Sequence, residues 1–222
     1  MTDPLGPGPR TRVRRLPTKA RYDEATVYEI LDGARLCHVA ALVRGRAVAL
    51  PTLHAREGRA LYLHGSPANE VLRAVVAAGE ACVTATLYDG LRLARSGFES
   101  SVAYRSVVVF GRASALGDEA ARRRVLDLFV DVALPGRGAE VRPMTDAEVR
   151  LTQVVRVEID EASAKVSDGP TDDDEEDQAR PIWSGTVPAR VAFSTPVPSH
   201  DGAMADGVEL PASVVRLLEE FS

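Results

Sequence analysis

The chain has 222 residues, 45% of them hydrophobic and 27% charged. That balance excludes a disordered, collagenous or membrane-spanning chain and allows one domain whose core needs no disulfide or metal staple. With 27 basic and 32 acidic side chains the formal charge is -5, which argues against wholesale nucleic-acid or anionic-membrane binding and for small-molecule or protein partners.

In chain order, residues 1–16 carry Pro4, Pro7, Pro9 and the arginines Arg10, Arg12, Arg14 and Arg15 without periodicity, and are expected to form a flexible basic arm. A helix is predicted from Asp23 as N-cap to Gly33, with Val27, Ile30 and Leu31 on one face. Strands follow at residues 36–43, 47–53 and 60–64, separated by Arg44-Gly45-Arg46 and by residues 56–59, and read as a meander. A second helix starts near Ser66 and ends at Gly79. Residues 81–87 alternate Val83, Ala85 and Leu87 with Thr84 and Thr86, and Tyr88-Asp89-Gly90 reads as a turn before a strand at residues 91–95. Further strands are expected at residues 107–113 and 154–159. Between those two lie a helix from Asp118 to about Ala133, presenting Val125, Leu126, Phe129 and Val130, and a short helix opened by a Thr145–Glu148 capping box. The result is a mainly β fold: a six- to seven-stranded antiparallel barrel of Greek-key type with peripheral helices, closed because closure removes exposed edges. Residues 17–167 form the barrel domain. Residues 168–180 hold an acidic linker, seven of ten positions in 168–177 being Asp or Glu, which self-repulsion should keep extended. Residues 181–222 form an extension expected to dock through Ile182, Trp183, Val187 and Pro188 and a short amphipathic helix over 212–221.

Cys37 and Cys82 sit inside apolar runs and read as buried free thiols of a reducing compartment, the cytoplasm. The N-terminus shows no signal-peptide pattern, and no run of residues reaches the length a membrane helix needs.

The segment YLHGSPANEV at residues 62–71 runs from a strand ending at His64 through Gly65 into a helix, with Ser66 a favoured cap and Pro67 suited to the first turn. The free N–H groups of such a helix start, its dipole and the Ser66 hydroxyl could hold an anion such as phosphate, with Asn69 adding a donor; equally, Ser66 could simply cap its own helix. The polar segment SGFESSVAYR at residues 96–105 is longer than a bare connection needs and offers Arg105 as a phosphate clamp or a surface ion pair. His64, at the mouth of this region, is the candidate proton-transfer group. Cys37 and His38 should face opposite sides of their strand, with His38 packed in or beside the core; a two-residue turn would put His54 and His64 on opposite faces and a three-residue turn would put them diagonally together; His200 lies in a Pro/Gly-rich tail. No HxH, HExxH, CxxC, GxGxxG, GxxxxGK[ST] or GxSxG motif occurs, so no metal site is expected and the commonest nucleotide-binding and hydrolase signatures are missing.

The order of elements, with LCHVA at residues 36–40, ALPTLHAREG at 49–58, LYLHGS at 61–66, ARSGFESSVAYRSVVVFG at 94–111 and IWSGTVP at 182–188, resembles the FMN-binding split β-barrel, or pyridoxamine 5'-phosphate oxidase-like, family and in particular its nitroimidazole-resistance flavoprotein branch. The resemblance implies a homodimer with FMN at its interface, the phosphate held by Ser66, Asn69 and Arg105. It places the isoalloxazine edge against Ala49, Leu50, Pro51 and Thr52, and His64, flanked by Leu63 and Gly65, close to the flavin. It implies an FMN-dependent oxidoreductase that passes electrons or hydride from a nicotinamide donor, NAD(P)H, to a small oxidised substrate such as a nitro compound. Alternatives are a non-catalytic carrier or sensor of flavin or haem, with His64 or His54 as axial ligand, a deazaflavin in place of FMN, and a pyridoxamine 5'-phosphate oxidase.

Overall fold

The computed structural model describes residues 5–199 and 207–221. Within them nine strands form one antiparallel sheet: β1 (Ala20–Arg21), β2 (Cys37–Val43), β3 (Arg46–Thr52), β4 (His54–Glu57), β5 (Ala60–Gly65), β6 (Glu80–Leu93), β7 (Ser101–Ala115), β8 (Gln153–Ser167) and β9 (Gly185–Pro188). The main path runs β3-β2-β6-β7-β8-β5-β4, with β1 on β8 and β9 on β6. Its two ends, β3 and β4, are separated in the chain by Leu53 alone, so covalent continuity brings the open edges together where a ladder would otherwise close the barrel. This is the expected mainly β split barrel.

Helices α1 (Glu24–Gly33), α2 (Glu70–Ala78), α3 (Glu119–Ala133), α4 (Asp146–Arg150), α5 (Glu175–Gln178) and α6 (Ala212–Glu220) surround it. The Asp23 carboxylate accepts a hydrogen bond from the Thr26 N–H at 2.8 Å, and α1 buries Val27, Ile30 and Leu31. The Thr145–Glu148 capping box opens α4 as expected. Strand β5 is buried on both faces. Leu61 and Leu63 enter the large core with Val83, Val107, Val109 and Val157, while Ala60 and Tyr62 face a second core with Val125, Leu126 and Phe129 of α3. Burying each of these leucines contributes about 1.5–3 kcal/mol, so β5 fixes both layers at once.

Several elements differ from the sequence reading. The meander is two separate hairpins, β2–β3 and β4–β5, at opposite ends of the sheet path; residues 54–57 are a strand, and the tight turn is Gly58-Arg59. Tyr88-Asp89-Gly90 makes no turn: β6 runs straight through it with a bulge between Tyr88 and Gly90. Gly90 is needed there, at φ 143°, because β9 crosses so closely that a Cβ would lie 2.2 Å from the Val187 carbonyl oxygen. Strands β7 and β8 are longer than their apolar cores suggest, because they pair with each other along nearly their whole length and β7 pairs with the long β6 on its other side.

The arm read as mobile lies against the barrel from residue 5 onward: Leu5 is buried, its N–H donates to the Tyr22 carbonyl at 3.1 Å, its own carbonyl accepts from Ala162 N–H at 2.8 Å, and Arg10 pairs with Glu80 and Glu161. Pro4 lies outside the described residues. Nor is the acidic linker free throughout, since Asp173 accepts from the Arg95 backbone N–H at 2.5 Å and pairs with its guanidinium at 2.8 Å, while α5 forms within the charge run. The extension docks through β9, and through α6, where Ser213 donates its backbone N–H to Glu140 at 2.8 Å. No helix among the described residues is long and apolar enough to cross a membrane.

Candidate functional site

The corner between β5 and α2 is built differently from the simplest reading of its sequence. Ser66 does not cap the helix. Its hydroxyl accepts from Ala68 N–H at 3.1 Å and its carbonyl accepts from Asn69 N–H at 2.9 Å, closing a turn that delays the helix start to Glu70. Asn69 is the N-cap, its Oδ1 accepting from Val71 and Leu72 N–H at 3.0 and 3.1 Å. The amides expected to hold an anion are therefore already taken by Asn69, which acts as acceptor and not as donor. Gly79 ends the helix in the left-handed conformation as expected.

Leu63 and His64 point to opposite sides of β5. Leu63 is part of the large core; the His64 ring lies 4.2 Å from the Phe129 ring of α3, tilted by 55°. Burial pushes the His64 imidazole below its ordinary value, and its Nδ1 is buried with no hydrogen-bond partner. The group is consequently neutral near pH 7 and presents an unsatisfied nitrogen, suited to accepting a proton or bonding to a ligand. His54 stands across from Leu63, on the face opposite His64, because Gly58-Arg59 is a two-residue turn. It is buried, its Nε2 is 2.8 Å from the Leu31 carbonyl, and burial lowers its pKa. That bond ties α1 to β4, and the other ring nitrogen, Nδ1, is buried without a hydrogen-bond partner, as in His64. His38 is exposed beside Pro51 and Thr84, whereas its neighbour Cys37 is buried, its thiol pushed up to about 12. Cys82 is half-buried and also free. His200 lies outside the described residues. Among the described residues no group of three or more His, Cys, Asp and Glu side chains could hold a metal.

Ala49, Leu50, Pro51 and Thr52 lie on β3, which pairs with β2 on one side only, so its outer backbone groups are open to a ligand. Gly65 continues β5 opposite Gln153.

Arg105 is not part of this corner. It pairs across to Leu87 and Val166, ten positions along β7 from Ala115, which sits beside the β8 residues facing His64. At ~3.3 Å per residue that is about 30 Å along the strand. Its guanidinium is engaged: Nε and Nη2 donate to Asp89 at 3.1 and 2.9 Å, and Nη1 to Glu29 at 2.7 Å. The Asp89 hydrogen bonds raise the Arg105 pKa further. Within one chain, Ser66, Asn69 and Arg105 cannot grip one phosphate. The segment read as a long binding loop is also mostly strand, since β7 begins at Ser101, and the remainder is closed by Ser100 Oγ, which accepts from Ala94 N–H at 3.1 Å and donates to Ser96 O at 2.8 Å. Sequence reasoning missed the basic residues that do stand near α2, namely Arg73, Arg122 and Arg150; the run Arg122-Arg123-Arg124 was the visible signal.

The family model for pyridoxamine 5'-phosphate oxidase matches residues 23–166. The chain belongs to that family. Among solved structures it is similar to the flavocytochrome Anf3 from Azotobacter vinelandii, at 39% identity over 95% of this chain and 97% of that one, with a TM-score of 0.88. It is also similar to the FAD and heme binding protein from Mycobacterium smegmatis, at 36% identity, 90% and 97% coverage and a TM-score of 0.84. A 5-nitroimidazole antibiotic resistance protein from Bacteroides thetaiotaomicron shares the fold at 22% identity, 66% and 86% coverage and a TM-score of 0.57. No curated protein matches the chain. The first two similarities cover more of the chain than the family model does.

Proposed function

We propose that the chain is a flavin-binding redox protein that also takes up haem and passes electrons from a nicotinamide donor to a small oxidised acceptor. The observation carrying this reading is the similarity, at 36–39% identity and over at least 90% of both chains, to two proteins described as a flavocytochrome and as binding FAD and haem. The site fits in two respects. β3 leaves one backbone edge unpaired beside Ala49, Leu50 and Thr52, which suits the hydrogen-bonding rim of an isoalloxazine ring. His64 holds a neutral imidazole with an orphaned Nδ1, which would suit it to hold a haem iron or to relay a proton at the flavin. Arg105 adds nothing to this fit within one chain, being paired with Asp89 and Glu29. Flavin would supply hydride and one-electron chemistry when bound; the residues here would orient it, exclude water and hold a proton at His64.

A homodimer belongs to the same reading, since Leu42 is 72% and Val48 36% exposed on the β2–β3 hairpin. An obligate interface buries about 2,000 Å² or more, and light scattering at micromolar concentration should return a dimer. Reduction of nitro compounds and pyridoxamine 5'-phosphate oxidation remain narrower activities that no residue of this site selects.

The deciding experiment is the absorbance of protein purified without added ligand. Flavin twin bands together with a Soret band are expected, and heat release should then identify the flavin as FMN, which the resemblance implies, or FAD, which the mycobacterial neighbour is described as binding. His64→Gln should lose the Soret band and keep the flavin. Protein that carries neither chromophore and takes up neither on titration overturns the reading.

A further inference from the structure

At the end of the barrel bearing His64, a pocket of about 370 Å³ lies between the start of α2, the turn from β7 into α3 and the turn from α4 into β8. Arg73 enters it from α2, Arg122 from α3 and Arg150 from α4, with Thr152 and Gln153 on the remaining side. No carboxylate lines it. Arg123 and Arg124, the chain neighbours of Arg122, are each neutralised, by Asp146 at 2.5 Å and Glu57 at 2.9 Å. Among the described residues Arg73 and Arg122 have no such partner, and Arg150 has only Glu119, at 3.8 Å.

Two polar atoms at this pocket are buried and unsatisfied: Arg122 Nε and Gln153 Oε1. Each is costly to leave unmade unless something outside the protein satisfies it, the charged one more so. The donor and the acceptor call for different ligand groups. Guanidinium forks from three helices around one pocket match the several oxygens of a phosphoryl group better than the two of a carboxylate. The Gln153 acceptor calls for a hydroxyl or N–H on the same molecule. The volume suits a ligand of sugar-phosphate size.

We propose that this pocket binds a small hydroxyl-bearing phosphomonoester, its phosphoryl group held by Arg73, Arg122 and Arg150 and a hydroxyl by Gln153. The site is separate from the flavin reading, with which it shares no lining residue, yet it lies one residue from it: Gln153 pairs with Gly65 and Val154 with His64 across β5 and β8. Occupancy there would order the β5–α2 corner next to His64.

The test is calorimetric titration of the protein as purified with ribose 5-phosphate, with inorganic phosphate and ribose as part-ligands. Ribose 5-phosphate should bind more tightly than inorganic phosphate, ribose should not bind, and added salt should weaken the binding. Arg122→Gln and Arg150→Gln should each lower affinity at least ~10-fold, while Arg124→Gln leaves it unchanged. Arg150 is largely exposed, so its variant retains the fold even if Arg122→Gln does not. Absence of binding by the parent, or equal affinity in the Arg150 variant, overturns the proposal. So does loss of flavin from that variant together with the phosphate, since the pocket would then belong to the flavin. A protein that neither carries nor takes up flavin or haem would sink the proposed function and leave this titration intact.

Discussion

Where β7 begins, arginines are structural. Arg105 is held by Asp89 and Glu29, Arg95 by Asp173, and Arg92 by Ser167 Oγ at 3.1 Å and the Pro170 carbonyl, so each guanidinium ties the barrel to a neighbouring element. Where β7 ends, ~30 Å away, Arg73 and Arg122 face a pocket without a carboxylate, next to a histidine whose Nδ1 has no partner. The same residue type therefore closes the fold at one end and leaves unsatisfied positive charge at the other. Pairing, and not the presence of arginine, separates a brace from a binding site, and Arg105 illustrates the error of judging by residue type and loop length alone.

The comparison breaks most visibly at Gly90. Gly90→Val would push a side chain into the Val187 carbonyl at a φ that valine rarely adopts, so β9 should leave β6 at a cost of about 2–4 kcal/mol. Emission from Trp183, the single tryptophan, should change, and trypsin should cut after Arg190 far faster than in the parent. Unchanged cleavage would mean that β9 contributes nothing to holding the strap.

Acid should separate the two ends by pH window. His54 and His64 are pushed down by burial, whereas in the unfolded chain they titrate near ~6.5. As pH falls through that value the unfolded state takes up protons that the native state refuses, so stability falls. Asp173 is held low, first by the Arg95 backbone N–H, so its contribution is complete above ~3.9 and disappears only as pH falls through its lower native value. Resistance to urea should accordingly weaken below about pH 6.5, while release of the C-terminal extension, read from Trp183 emission, waits for stronger acid. His54→Gln should make the first dependence shallower. An identical slope in that variant would remove His54 from the account.

Smaller effects sharpen the same contrast. Asn69→Ala should cost ~1 kcal/mol through lost capping of α2, seen as a lower urea midpoint. Arg105→Met should cost only ~0.5–1 kcal/mol, because the pair is about one-third exposed, and should leave flavin content unchanged. A large loss of flavin from the Arg105 variant would restore that residue to the site, by way of the partner copy of a dimer.

Local chemistry is what the sequence determined. Asp23, Gly33, Asp118, Gly79 and the Thr145–Glu148 box mark helix ends where they occur, because caps act within one turn. The alternation of Val83 and Ala85 with Thr84 fixes which face of β6 is buried, because the pleat has period two. The barrel itself was also legible, since short strands with tight turns leave few ways to hide edges. Tertiary structure decided everything that joins distant segments: that β4–β5 lies at the far end of the sheet path from β2–β3, that Gly90 yields to a strap some hundred residues later, that Leu5 and Asp173 dock, and that Asn69 outcompetes Ser66 for the cap. It also decided where charge is left over. Whether an arginine is neutralised depends on which carboxylate the fold brings within about 3–4 Å, and no spacing along one chain records that.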